Sequence, residues 1–453
     1  MRRLAFLAAV CALAVACSTS DAPAEPTPDA AADDIGVDTA VRTDATDSAV
    51  NDVRSDVLAE AGVDAAVPFD FFAINHVLCT GQSLSVGAVG APPLSTKQPY
   101  ANLMFEQGVI PGGVGLTKLV PLIETTDETM SSGMANDVTK VAREVLFKGL
   151  APPRDDHVLL VSCHGVGGQP YSELKKGTDP FKNGIAQVVA AKAIAAAAKS
   201  TYVVRVVTNV HGESDHVAKN ASYDKDLLQW QADYETDVKA ITGQTTAIPM
   251  LHTQMSSFTK YGQATSPIPQ LQLDASRASA GKLVLVGPKY TSIYSSDGVH
   301  LTNAGYRLMG ESYAKVYRKV VLEKKTWLPL GPKTIKREGV TITVDFDVPS
   351  PPLVLDTTLV TDPGSYGFEV VDDLKTVKIA SVALAGATSV KLVLATAPTG
   401  KVRVRYAFTG VAGALGGAKT GARGNLRDSD DTPSAYGPAK LFNWCVHFDQ
   451  ALP

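Results

Sequence analysis

The chain has few cysteines, no strong excess of either charge and no long apolar run after its first residues. Five cysteines among 453 residues offer no cysteine–histidine spacing that would indicate zinc. The formal net charge of −4 does not give the basic footprint of a nucleic-acid-binding protein. Beyond residue 17 no segment is long and apolar enough for a transmembrane helix. The length is sufficient for two folded domains with ample core.

The first 17 residues predict export. Met1-Arg2-Arg3 is a charged start, and the apolar run over residues 4–16 is too short to span a bilayer comfortably. Small residues precede Cys17, as in a bacterial lipoprotein signal, where the cysteine becomes the lipidated first residue. We therefore expect a cell-envelope lipoprotein that touches the membrane only through an anchor at Cys17, with simple secretion as the alternative.

Residues 18–67 have the composition of a linker. Between residues 18 and 66 there are twelve acids, two bases and no aromatic residue. Such a segment cannot bury enough apolar surface to offset its ordering entropy, and its charges repel one another. We predict a disordered, extended acidic linker.

Strand and helix patterns alternate over residues 68–325. Continuous apolar runs at 157–163 and 202–208 are typical of strands buried on both faces. Further strands are expected at 76–79, 246–252 and 283–286, and helices at 184–199, 223–241 and 303–325, the last capped by Thr302 or Asn303. This alternation predicts a parallel sheet covered by helices on both sides. Cys79 and Cys163 end strand patterns, so we expect small core residues, with a disulfide as the alternative.

Residues 326–453 change to short segments of alternating apolar and polar residues. They lie at 340–344, 376–380, 389–394 and 401–406 and are separated by Gly, Pro and Asp. The pattern predicts an antiparallel β-sandwich accessory domain. Trp444, Arg427 and Asp428 could contact sugar, or could be a core tryptophan and turn-forming polar residues.

Ser83 follows a strand pattern and a glycine, in the run Thr80-Gly81-Gln82-Ser83. The glycine allows a tight turn that lifts the hydroxyl above the carboxyl ends of the strands, where open α/β sheets place their sites. Backbone amides after such a turn can bind a developing oxyanion. Alternatively, Ser83 only caps a helix.

Asp297 and His300 lie on a predicted loop just before the last helix. From a loop, the acid can reach one imidazole nitrogen while the other nitrogen reaches a serine hydroxyl. A hydroxyl, a base and an acid that holds the base are the groups required for nucleophilic acyl transfer. A surface turn with a helix-capping acid is the alternative.

Two more blocks each follow a predicted strand. Residues 211–215 hold a histidine and two acids, but no spacing supplies a third convergent metal ligand, so we predict no metal site. A polar loop, or a side chain lining an oxyanion pocket, are the remaining interpretations. Residues 164–170 contain three glycines, which let the backbone approach a substrate closely.

Together the four blocks resemble those of the SGNH/GDSL hydrolase superfamily, and look closest to its sialate O-acetylesterase and acetylxylan esterase branch. The resemblance covers about residues 74–325. It implies a three-layer, flavodoxin-like sheet, no cofactor and no metal. It also implies that Ser83 is the nucleophile, His300 the base and Asp297 the residue that orients the base.

The same resemblance implies an oxyanion hole built partly from the Ser83 amide and one glycine of the pair Gly167 and Gly168. The remaining donor in the family is usually glutamine or asparagine. His211 stands in that place, where it either donates a hydrogen bond to the oxyanion or only packs the loop.

We therefore expect an exported serine esterase that removes acetyl or other short acyl groups from oxygen, with an acylated carbohydrate as its substrate. A lipase or aryl esterase is an alternative, because residues 98–128 include Phe105, Ile110, Pro111 and Leu119 and could form an apolar entrance. A non-catalytic glycan-binding surface protein is the alternative from another class. No nucleic-acid partner is expected, and no oligomeric state is predicted.

Overall fold

A computed structural model of the chain describes residues 69–147, 157–373 and 375–452. The predicted signal, Cys17 and the linker over 18–67 lie outside these residues and stay predictions. Among the helices of the described ranges, none has both the length and the apolar content required to cross a bilayer.

The first part of the fold is built on a seven-stranded sheet. Its strands are β1 Ile74–Gly81, β2 Leu103–Phe105, β3 Leu119–Pro121, β4 Leu159–Cys163, β5 Tyr202–Val210, β6 Met250–Gln254 and β7 Leu283–Pro288. Their order is β3-β2-β4-β1-β5-β6-β7. All neighbours are parallel except β3, which pairs antiparallel with β2 at one edge. The five strands β4-β1-β5-β6-β7 have the 2-1-3-4-5 order of a flavodoxin-like sheet.

Helices cover both faces of this sheet. They are α1 Met130–Val145, α2 Asp179–Ala197, α3 Glu213–Val217, α4 Tyr223–Thr242, α5 Ile268–Ala278 and α6 Asn303–Tyr317. The side chains of β1 alternate between the two layers, as the two-residue period of a strand requires. Val77 belongs to the same buried cluster as Tyr313 of α6, whereas Leu78 belongs to the cluster of Trp230 of α4. The predicted three-layer architecture is confirmed.

The helix before the C-terminal region shows where a local prediction succeeds and where it fails. Thr302 is the cap residue, since its hydroxyl accepts a hydrogen bond of 3.1 Å from the amide of Gly305. The α-helix ends at Tyr317, however, and continues as a π-helical turn to Leu322 rather than reaching residue 325. Tertiary packing at the end of a helix is not encoded in its periodicity.

The C-terminal part consists of antiparallel sheets. Its strands are β8 Gly331–Glu338, β9 Thr341–Asp347, β10 Val354–Leu355, β11 Phe368–Asp372, β12 Lys375–Val377, β13 Ile379–Leu384, β14 Ser389–Leu394, β15 Val402–Tyr406, β16 Leu426–Arg427 and β17 Phe448–Ala451. Two four-stranded sheets have the orders β13-β14-β9-β8 and β12-β11-β15-β17, and β10 pairs with β16. The predicted antiparallel region is therefore confirmed.

The two parts share a hydrophobic core. Leu273, Leu285 and Tyr290 of the α/β part belong to the same buried cluster as the inward side chains of the C-terminal sheets. The Tyr290 hydroxyl donates to the Cys445 carbonyl at 2.7 Å. All described residues fall in one compact unit, so the boundary between residues 325 and 326 marks a change of architecture within a continuous core.

The cysteines behave as expected from the sequence. Cys79, Cys163 and Cys445 are buried and carry free thiols. Cys79 and Cys163 are register partners on the neighbouring strands β1 and β4. Burial raises the pKa of the Cys163 thiol to about 11, so it is a neutral core group at physiological pH.

Candidate active site

The sequence blocks singled out above meet at the carboxyl edge of the sheet. Ser83 follows β1, the glycine-rich block follows β4, and residues 211–215 follow β5. Since β4, β1 and β5 are adjacent in the sheet, the three blocks lie side by side. Asp297 and His300 arrive from the connection between β7 and α6. This is the edge at which parallel α/β sheets bind their ligands.

Gly81 is needed for the turn that presents Ser83. Its φ is +126°, and a Cβ atom there would lie 2.4 Å from the carbonyl oxygen of Val210. Only glycine fits such a close approach in this conformation. Gln82 then ties the turn to the next block, because its buried side-chain oxygen accepts a hydrogen bond of 3.0 Å from the Ser214 amide.

Ser83, His300 and Asp297 form one hydrogen-bonded chain. The distance from the Ser83 Oγ to the His300 Nε2 is 2.8 Å, and that from the His300 Nδ1 to the Asp297 Oδ2 is 2.6 Å. A carboxylate can only accept, so we assign the ring proton to Nδ1. Nε2 then carries a lone pair that accepts the serine O–H, which is the arrangement needed to remove its proton.

The Asp297 carboxylate is fixed by its own loop. Its Oδ1 accepts hydrogen bonds from the Ser295 hydroxyl at 2.8 Å and from the amides of Val299 and His300, each at 2.9 Å. Burial acts to raise the pKa of Asp297, but the hydrogen bonds from His300 and these neighbours outweigh it and hold that pKa well below its usual range. The group is therefore a carboxylate at any working pH.

The glycine-rich block lies beside the serine. A Cβ atom on Gly167 would be 3.7 Å from the Ser83 Cβ, and one on Gly168, whose φ is +74°, would meet nothing within 4 Å. Among the backbone hydrogen bonds of the described ranges, none is donated by the amides of Ser83, Gly167 or Gly168. These amides are thus available for a ligand at the serine, as an oxyanion hole requires.

Of the two roles considered for His211, its contacts favour packing of the loop. The ring is buried, with Nδ1 2.6 Å from the Tyr223 hydroxyl and Nε2 3.0 Å from the Gln169 carbonyl oxygen. Burial, the largest influence, lowers the pKa of His211 although Asp215 lies nearby, so the ring is neutral with one N–H. A carbonyl can only accept, so that proton sits on Nε2 and Nδ1 accepts from Tyr223. No N–H remains for an oxyanion, and the ring instead positions Gln169.

The two acids of this block hold the loop in place. Glu213 lies 3.2 Å from Lys289 in a fully buried ion pair, and it also accepts a hydrogen bond from Ser257 at 3.1 Å. Asp215 accepts from the Tyr171 amide at 2.8 Å. Within the described ranges, no three His, Cys, Asp or Glu side chains converge as a metal-binding group.

The three C-terminal residues considered for sugar binding have structural contacts instead. Asp428 is fully buried and accepts from Asn443 at 2.6 Å. Arg427 pairs with Asp356 at 2.7 Å, and Trp444 is part of the shared core. The alternative of a core tryptophan with turn-forming polar residues is therefore the one observed.

The residues of the hydrogen-bonded chain are partly exposed. Three cavities formed by described residues have volumes of about 880, 290 and 940 Å³, and neither Ser83 nor His300 lines any of them. The His300 side chain is 22% exposed and that of Asp297 39% exposed. The reacting groups are thus reached directly from the surface.

Sequence reasoning missed one contributor to the site. A glycine-rich segment of the C-terminal part, between β15 and β16, contacts the loop of Asp297 and His300, since the Gly416 amide donates to the Gly298 carbonyl at 2.9 Å. Glycines at 410, 413, 416 and 417 were a signal of close backbone packing, but the sequence did not identify the partner.

Comparison with known proteins identifies the type of domain. Residues 121–319 match the family described as carbohydrate esterase, sialic acid-specific acetylesterase. A solved carbohydrate acetylesterase from Xanthomonas citri aligns with a TM-score of 0.51 at 14% identity, covering 83% of this chain and 80% of that one. At that identity the likeness shows a common fold.

Two further solved structures align over about half of this chain. A carbohydrate acetylesterase from Sinorhizobium meliloti covers 53% of this chain and 97% of its own, at 14% identity and a TM-score of 0.31. An aryl esterase from M. smegmatis covers 54% and 98%, also at 14% identity and 0.31. No curated protein matches the chain significantly.

Proposed function

We propose that this chain, whose residues 121–319 match a carbohydrate esterase family, is an exported serine esterase of the SGNH type that removes acetyl or other short acyl groups from the hydroxyls of a carbohydrate. The observation that supports it most directly is the chain of hydrogen bonds from Ser83 through His300 to Asp297, 2.8 and 2.6 Å long. It begins at a half-buried serine beside backbone amides that donate no backbone hydrogen bond within the described ranges.

In the proposed reaction, the Ser83 Oγ attacks the ester carbonyl carbon while the His300 Nε2 takes the hydroxyl proton. The carbonyl oxygen becomes an oxyanion that the amides of Ser83 and of Gly167 or Gly168 stabilise. His300 then gives its proton to the departing sugar oxygen, which leaves an acyl-enzyme and the free alcohol.

The second half of the reaction uses the same groups. Water attacks the acyl-enzyme, and His300 takes one of its protons. Collapse of the tetrahedral intermediate returns that proton to the Ser83 Oγ and releases the carboxylic acid. Asp297 stays ionised throughout and stabilises the imidazolium of each transition state.

We favour a small acyl group on a bulky alcohol over a long lipid, because Ser83 and His300 line none of the three cavities described above. A long acyl chain would need an adjoining apolar cavity, and residues 98–128 supply only part of the apolar entrance considered above. Phe105 and Pro111 in this segment are buried, whereas Ile110 is 47% exposed and Val114 is 85% exposed. Lipase activity is therefore the weaker alternative.

Export and anchoring complete the proposal. The charged start, the apolar run and the small residues before Cys17 support cleavage of a signal and lipidation of that cysteine. Mass spectrometry of the mature amino terminus tests it. An unmodified Cys17 terminus would mean simple secretion, and an intact Met1 would mean that no export signal is processed.

Acetate release from a panel of acetylated sugars and polysaccharides, with a short-chain aryl acetate as reference, tests the activity. Ser83→Ala should fold normally and lose a factor of about 10⁴ or more in turnover. Ser296→Ala, an exposed serine on the loop of Asp297, is the matched control and should keep full activity. If Ser83→Ala retained most of its esterase activity, the mechanism would be wrong; glycan binding without hydrolysis by the unmutated protein would favour the non-catalytic alternative.

A further inference from the structure

A segment of the C-terminal part reaches the loop that carries Asp297 and His300. We call residues 410–417, which lie between β15 and β16, the rim loop. One of its ends is held by the turn after β6: the Gly413 amide donates to the Thr259 carbonyl at 2.7 Å, and the Thr259 hydroxyl donates to the Ala414 carbonyl at 2.8 Å. The rim loop is thus attached to the α/β part before it reaches the candidate site.

Its other end packs on Gly298, which lies between Asp297 and His300. The Gly416 amide donates to the Gly298 carbonyl at 2.9 Å. A Cβ atom on Gly298, whose φ is +70°, would lie 2.6 Å from the Leu415 Cβ and 2.7 Å from the Leu415 Cδ2, an atom that alanine lacks. Backbone and side chain of the rim loop therefore meet Gly298 without space between them.

The loop of Asp297 and His300 is held from more than one side, since Leu301 at its end is fully buried in the core of the α/β part. Its internal bonds, among them the Ser295 amide to the His300 carbonyl at 2.8 Å and the bridge between Tyr294 and Leu301, set its shape. They do not set its position relative to Ser83, which stands on a different strand. The rim loop contacts it from outside and joins it to the turn after β6.

We propose that the rim loop positions the Asp297–His300 pair against Ser83, with Leu415 as the positioning residue. The inference rests on the proposed serine esterase function. Leu415 touches the loop at Gly298 and has no part in the chemistry itself. A displacement of about 1 Å would break the 2.8 Å contact between His300 and Ser83, and misplacements of that size can cost about a hundredfold in rate. The C-terminal β-region is then part of the catalytic unit.

The test compares Leu415→Ala, Leu415→Met and Val411→Ala in the full-length protein. Leu415→Ala should lower kcat on the aryl acetate about tenfold while KM changes less than twofold. Leu415→Met keeps a side chain of similar volume and should restore most of the rate. Val411, 72% exposed on the same loop, is the matched control, and its alanine variant should behave as the unmutated protein.

Hydrogen–deuterium exchange over residues 294–301 supplies a readout that does not depend on turnover. Exchange there should be faster in Leu415→Ala and unchanged in Val411→Ala. Gly416→Ala is an independent variant, because its methyl group would lie 2.8 Å from the Gly298 carbonyl oxygen and push the loops apart. It should show the same faster exchange and lower kcat.

Four results would overturn the inference. They are an unchanged kcat in both Leu415→Ala and Gly416→Ala, unchanged exchange at 294–301, an effect on KM rather than on kcat, and no rescue by methionine. Each would leave the serine mechanism standing if Ser83→Ala is inactive. Conversely, an active Ser83→Ala would refute the proposed function, while the exchange data would still report whether the rim loop restrains residues 294–301.

Discussion

Replacing Asp297 by asparagine tests the orientation of His300 with almost no change in shape. The asparagine oxygen can keep the three hydrogen bonds that Oδ1 accepts from Ser295, Val299 and the His300 amide. Its amino group would take the place of Oδ2, 2.6 Å from the His300 Nδ1, and would donate where the carboxylate accepted. The imidazole would then have to carry its proton on Nε2, the nitrogen that must accept from Ser83.

The wrong tautomer removes the general base while leaving its position intact. The corresponding aspartate-to-asparagine change in a serine protease lowers kcat about 10⁴-fold, which corresponds to about 5.5 kcal/mol of transition-state stabilisation at about 1.4 kcal/mol per decade. We expect a loss of similar size here, because the same pair of contacts is present and, among the described residues, Asp297 is the one hydrogen-bond acceptor at the His300 Nδ1.

The contribution of Asp297 to the stability of the folded protein should depend on pH in a defined direction. The pKa of Asp297 in the folded protein lies below the unfolded value of about 3.9. Its contribution to folding is therefore fully present above that unfolded value and is lost as the pH falls toward the folded pKa. Any difference in melting temperature between Asp297→Asn and the unmutated protein should be constant above about pH 5 and narrow below about pH 4.

Initial rates on an aryl acetate and thermal melts at several pH values supply the measurements. Ser296→Ala, altered on the same loop, controls for loop disturbance. An Asp297→Asn variant within tenfold of the unmutated kcat would refute the orienting role. If Ser296→Ala lost as much activity as Asp297→Asn and its melting temperature fell by as much, disturbance of the loop rather than the wrong tautomer would explain the loss.

Two further predictions concern buried groups near the site. Burial, the largest influence, raises the pKa of Glu124 to about 7, so between about pH 4.5 and 7 the folded protein holds a proton that the unfolded chain releases, and stability falls as pH rises. The free energy of unfolding of Glu124→Gln should therefore exceed that of the unmutated protein by up to about 3 kcal/mol at pH 8 and be nearly the same at pH 4.5. Equal free energies of unfolding at pH 8 in urea titrations would contradict this. His211→Ala and His211→Gln should both lower the free energy of unfolding by about 1–3 kcal/mol, because the Tyr223 hydroxyl and the Gln169 carbonyl lose their partner. If both variants melted like the unmutated protein and only His211→Ala lost about a hundredfold in turnover, His211 would instead be an oxyanion donor.

The sequence was sufficient for the architecture of the α/β part. Short, β-branched apolar runs such as 202–208 are typical of strands buried on both faces, and their alternation with helical periods predicts a parallel sheet. Polar blocks that directly follow such strands must then meet at one edge. That reasoning placed Ser83, Asp297 and His300 at one end of the fold before any contact was known, although the three-residue strand β2 and the helices α1 and α5 were not predicted.

What the sequence determined by itself was therefore the order of the elements and the edge of the sheet at which each block lies, since both follow from local periodicity and from the direction of parallel strands. The tertiary structure alone decided which atoms meet. His211 faces Tyr223 and Gln169 rather than the serine, and Gly416 donates to Gly298 across more than a hundred residues of chain. Such contacts depend on side-chain rotamers and on the packing of one part against the other, which no local pattern encodes.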